Sequence, residues 1–162
     1  MIRALLLLAA TLSATQAAAL TCVPPDPLRS FREANAAPES YVVLHGRLHF
    51  DPALMPGADA LPPPGAAETR LDPVEARFEG FALGLAGFTR PVSATVVLEP
   101  SCLGQFCAGI GPGVGWLLFA RPSGTGAYHV AIEPCGNRAF DGVPRATLDA
   151  LATCLQGGPC GE

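Results

Sequence analysis

Short runs of alternating apolar and polar residues dominate this chain, the period-two pattern of strands with one buried face. Tyr41 to Phe50 is the clearest run: Val42, Leu44, Leu48 and Phe50 fall on one face, and His45, Arg47 and His49 on the other. Gly46 lies on the apolar face, where a strand bends sharply, as at the corner of a small barrel. Val74 to Leu83 predicts a second strand, with Gly80 as a bulge between Phe78 and Phe81. Gly84 to Pro91 turns the chain, and Val92 to Leu98 alternates again. Val114 to Ala120, carrying Trp116, and Tyr128 to Ile132 predict a fourth and a fifth strand. Ser123-Gly124-Thr125-Gly126 is the hairpin turn between them.

Helical spacing is rarer. Leu28, Phe31 and Ala34 predict one short helix or turn before Pro38. Near the other end, Pro144 opens a helix whose Leu148, Leu151 and Leu155 form an apolar stripe. Asp51 to Ala67, with Pro52, Pro56, Pro62, Pro63 and Pro64, is an irregular excursion. Cys102 to Cys107 and Gly109 to Gly115 make a glycine-rich connection. Five strands and one terminal helix predict a mainly β fold. The element count fits a five-stranded antiparallel OB-fold-like barrel with a C-terminal helix, whose closure leaves no unpaired edge.

Ahead of these elements, Met1-Ile2-Arg3 is a positive start, Ala4 to Thr11 an apolar run, and Ala17-Ala18-Ala19 a small-residue cleavage site. Residues 1–19 therefore read as a secretory signal peptide, too short for a membrane-spanning helix. Cleavage there leaves residues 20–162 as one domain, secreted or periplasmic. All ten basic residues are arginines against fourteen acids. Losing Arg3 leaves nine, a mature charge near −5 that disfavours nucleic acid and acidic membrane surfaces as partners. No later stretch is apolar enough to span a membrane. Six cysteines in an exported domain of this size point to three disulfides, which sequence alone could connect in 15 ways.

Catalytic patterns are missing. His45 and His49 share a strand face but lie about 13 Å apart, too far for one metal ion. His129, with Glu133 four residues on, reads as a surface residue. Cys102 and Cys107 lack redox-motif spacing, and no histidine is placed to activate a cysteine. Asp51, Asp59, Glu68, Asp72, Glu75 and Glu79 read as a solvated rim. The glycine run from Gly109 to Gly115 leads into a strand and carries no lysine, unlike a phosphate-binding loop. The expectation is a non-enzyme without cofactor or metal. Trp116, Phe119, Tyr128 and Phe78 are core candidates; Phe81, Phe88 and Phe106 are expected at the surface.

Thr21-Cys22-Val23-Pro24-Pro25-Asp26-Pro27 stands apart. Three prolines in four positions make it extended and stiff, and Cys22 can tie it to the body. This opening resembles that of the tissue inhibitors of metalloproteinases, and the body resembles their netrin-like module. Landmarks recur in order: Val42 to Arg47, Arg77-Phe78-Glu79-Gly80, Ser101-Cys102, Gly113 to Ala120, and Ile132-Glu133-Pro134-Cys135-Gly136. The resemblance implies an OB-fold and a disulfide between Cys22 and Cys135. The short spacings Cys102–Cys107 and Cys154–Cys160 are compatible with local pairs. It also implies a contact ridge made of Leu20, Thr21, Cys22, Val23, Pro24 and Pro25 with the segment holding Ser101, Leu103 and Phe106. In that family the mature chain begins with a cysteine whose amine and carbonyl bind the protease zinc. Leu20 occupies the matching position here, and Arg32 stands where a further family cysteine is expected.

The functional expectation is an exported, non-enzymatic protein-binding domain presenting a rigid N-terminus. One alternative is metalloproteinase inhibition through the terminal amine and carbonyl. The other is a structural, envelope-associated domain with no dedicated ridge.

Overall fold

The structure, a computed structural model, describes residues 21–56 and 67–161. The signal peptide, its cleavage site and Leu20 lie outside the described residues. After the extended stretch to Asp26 comes helix α1, Pro27–Ala36. Asp26 caps it, its Oδ1 accepting from the Leu28 amide at 2.9 Å. Pro27 takes a first-turn position where the missing N–H costs nothing. It therefore belongs to the helix and not to the stiff opening.

The strands are β1 Val42–His49, β2 Glu68–Arg70, β3 Val74–Gly84, β4 Gly87–Leu103, β5 Phe106–Cys107, β6 Gly113–Pro122, β7 Tyr128–Ile132 and β8 Ala139–Phe140. Helix α2, Arg145–Leu155, follows with Pro144 before it. One eight-stranded sheet runs β1-β3-β4-β7-β6-β8. Both β2 and β5 pair with β4, and β1 pairs with β6 on its second flank. Among the described residues every pairing is antiparallel except β4 with β7, which are parallel at Val96 to Pro100.

The expected five-stranded antiparallel OB-fold-like barrel with one C-terminal helix is thus corrected. The described fold is mixed α/β, with eight strands, one parallel pairing and two helices. The netrin-like resemblance, which rested on sequence landmarks and implied that barrel, is not supported by this topology. Strands β2, β5 and β8 are only two or three residues long, too short to carry a period. They exist because neighbouring strands offer free backbone groups to pair with. Gly80 is also corrected. It sits in regular register opposite Gly46 and Val92, and the irregularity falls at Ala82/Leu83.

Two apolar cores flank β6. Trp116, Leu118 and Ala120 join Leu44, Leu48, Phe78, Val96 and Leu98 on one side. Leu117 and Phe119, from alternate positions, join Phe31, Ala34, Leu148 and Leu151 beneath the helices. The unbroken apolar run from Trp116 to Ala120 is the mark of a strand covered on both faces. Phe119 accordingly packs edge-on against Phe140, with ring centroids 5.9 Å apart, on the helical side.

Strands β1 and β3 pair with two glycines, Gly46 and Gly80, facing each other. A Cβ placed on Gly46 would lie 2.6 Å from Gly80 Cα and 2.8 Å from Phe78 Cζ, and against the Glu79 carbonyl oxygen. Close backbone approach is the reason for glycine here, and it leaves the space that Phe78, fully buried, fills.

Candidate functional site

The proline-rich opening is tied down by chemistry on both sides. Cys22 is disulfide-bonded to Cys135, 113 positions away, and its Sγ lies 4.0 Å from the Pro134 carbonyl oxygen. Arg29, one turn into α1, donates from Nη2 to the Pro24 carbonyl at 2.9 Å. The segment between is therefore braced from the body and from its own helix. Val23 remains 63% exposed, and Thr21, Pro24 and Pro25 are exposed with it.

The second part of the expected ridge is a β-hairpin. Strands β4 and β5 pair at Cys102↔Cys107 and Leu103↔Phe106, with Gly104 and Gln105 forming the turn. Gly104 has φ +57°, the left-handed region that glycine enters without a Cβ penalty. A disulfide joins Cys102 to Cys107 at the hairpin base. Leu103 and Phe106, opposite one another at the tip, are 40% and 41% exposed. Ser101 differs from Leu103 and Phe106: it is buried, as are Pro100 and Cys102 beside it, so it belongs to the support and not to the exposed tip.

The turn Glu133 to Gly136 connects the two parts. A cavity of about 350 Å³ is lined by Cys107 from the hairpin base and by Glu133, Pro134 and Gly136 around the Cys135 anchor. A neighbouring cavity of about 400 Å³ is lined by Ser101, Glu133, Asn137 and Arg138. Glu133 borders both. Hence the anchor of the N-terminal segment and the foot of the hairpin share one side of the molecule. The sequence pattern could not supply this shared wall, although Pro134-Cys135-Gly136-Asn137 is a plain turn sequence.

Asn137 Oδ1 is buried with no hydrogen-bond partner among the described residues. Beside it, Arg138 stacks 4.9 Å above the Tyr41 ring and donates to the Ser30 carbonyl at 3.4 Å. In the wall of the 400 Å³ cavity, Glu99 accepts from Arg121 Nη2 at 2.6 Å and stands 2.9 Å from His129 Nδ1. His129 therefore has a carboxylate partner, Glu99, that sequence spacing did not identify. His49 is exposed. His45 lies edge-on to Phe88 at 5.6 Å; burial, and secondarily the nearby Arg145 charge, lower its pKa from 6.5.

Cys154 and Cys160 form the third disulfide, closing the tail after α2. Arg32 locks that tail to α1, donating to the Cys160 carbonyl at 2.6 Å and the Gly161 carbonyl at 3.0 Å. Among the described residues, no three His, Cys, Asp or Glu side chains cluster as a metal site. No described helix is long and apolar enough to cross a membrane. No family model matches the chain, and neither curated proteins nor solved structures provide a match.

Proposed function

We propose that this is an exported, non-enzymatic protein-binding domain, stabilised by its three disulfides. Its contact surface comprises the clamped segment Thr21 to Pro25 and the hairpin tip Leu103 to Phe106. One observation carries the reading: the Cys22–Cys135 bond anchors the opening at a turn that also borders the hairpin foot. Three exposed large apolar side chains, Val23, Leu103 and Phe106, belong to these two segments. Exposed apolar groups held on braced backbone lose little entropy on binding and can act as desolvated anchors. The net negative charge and the absence of lysine disfavour a nucleic-acid partner.

The test is site-specific photo-crosslinking in cells that produce and export the full chain. A photoreactive phenylalanine analogue replaces Val23, Leu103 or Phe106, with Leu85 as control. Leu85 is 71% exposed on the turn between β3 and β4. The same adduct from the first three positions, none from Leu85, and loss of the Val23 adduct on adding Leu103→Glu are expected. No adduct, or equal adducts at all four positions, overturns the proposal.

A further inference from the structure

A cleft of about 550 Å³ opens between α2 and the β3–β4 hairpin. It is separate from the contact surface above, and nothing proposed so far uses it. Phe81, Phe88 and the His45 imidazole contribute ring surface to its wall, and Leu148 contributes apolar surface from α2. Phe81 is 47% exposed. Its size falls within the range of small-molecule sites, about 300–1,000 Å³.

The polar groups select the ligand. Arg145 engages Asp149 through Nε alone, at 3.0 Å. Its two terminal nitrogens, which form the fork that grips a carboxylate, have no hydrogen-bond partner among the described residues. Neither ring nitrogen of the half-buried His45 has such a partner either. Gln156 is already committed, donating to the Leu85 carbonyl at 2.7 Å. Free donors at one end and ring surfaces along the wall describe one chemical class. We propose that this cleft binds a small aromatic carboxylate, the acid on the open edge of Arg145 and the ring against Phe81 and Phe88.

The probe is phenylacetate, titrated into the full disulfide-bonded protein while the imidazole proton signals of its three histidines are followed by NMR. A saturable shift at His45, absent at His49 and His129, is expected. Phenylacetamide keeps the ring and loses the charge; it binds about fivefold or more weakly, as does phenylacetate to Arg145→Gln. Phe81→Ala weakens phenylacetate and phenylacetamide alike. Both replaced side chains are exposed, so the variants keep the native near-ultraviolet spectrum. No saturable His45 shift, equal affinity for the amide, or unchanged affinity in Arg145→Gln overturns the proposal.

Discussion

Removing the Cys22–Cys135 bond is the most informative perturbation, because its loop is so much longer than the other two. The three bonds close separations of 113, 5 and 6 positions. In the chain-entropy model the long bond constrains the unfolded chain by about 4.8 kcal/mol at 25 °C, and each short one by about 2 kcal/mol. A domain of this size is stable by about 5–15 kcal/mol in total, so the long bond is a large share of the whole. The assay is equilibrium urea unfolding of Cys22→Ser/Cys135→Ser beside Cys102→Ser/Cys107→Ser. With a slope of about 2 kcal/mol per molar urea, the midpoints fall by about 2.4 M and about 1 M. A midpoint loss in the first variant no larger than in the second would refute the reasoning. It would mean that the unfolded chain already holds Cys22 near Cys135, or that native strain offsets the entropy.

The remaining predictions concern the fold's tightest contact, its second core and its histidine. Gly46→Ala forces a methyl against the Gly80 backbone and Phe78, and costs about 3 kcal/mol or more, read by urea unfolding. A loss below about 1 kcal/mol shows that β1 and β3 can separate freely. Leu151→Ala opens a cavity among Leu148, Phe119 and Phe31 beneath the helices and costs about 2–5 kcal/mol by the same assay. An unchanged midpoint contradicts a packed helical layer. For His45, the folded pKa lies below the unfolded 6.5, so the unfolded state binds more protons as the pH falls through 6.5. Its contribution is complete above that pH and is lost below it. His45→Gln should therefore flatten the fall in stability between about pH 7 and pH 5. Parallel pH profiles for the two proteins would sink this assignment.

Much of the β-structure was legible because alternation is local. Tyr128 to Ile132 matches β7 residue for residue, and Ser123 to Gly126 forms the expected turn, with the Ser123 amide donating to Ala127 at 2.8 Å. The α2 stripe is matched only in part. Leu148 and Leu151 are buried as its spacing implies, yet Leu155 is 36% exposed because the helix ends there. Strand β4 runs 17 residues, far past the expected Leu98, because β2, β5 and β7 each pair with part of it. Of the site, the rigid opening and the exposed hairpin aromatic could be read from the residues. The neutral-looking Ser101 could not be placed, since its burial depends on the chain covering β4.

The sequence by itself determined the longer strands β1, β3, β6 and β7 and the apolar faces of the two helices. These follow from steric limits and side-chain periods within a few residues. The tertiary structure alone decided that β4 and β7 run parallel and which elements cover the two faces of β6; the Cys22–Cys135 bond is the one the resemblance implied. The tertiary structure also decided that the opening and the β4–β5 hairpin share the Glu133–Gly136 wall, and that Arg145 stands at the cleft holding His45. Each of these depends on residues far apart in the chain. Pairing, layer order and shared walls are set by the free energy of the whole packed core, which no local period encodes.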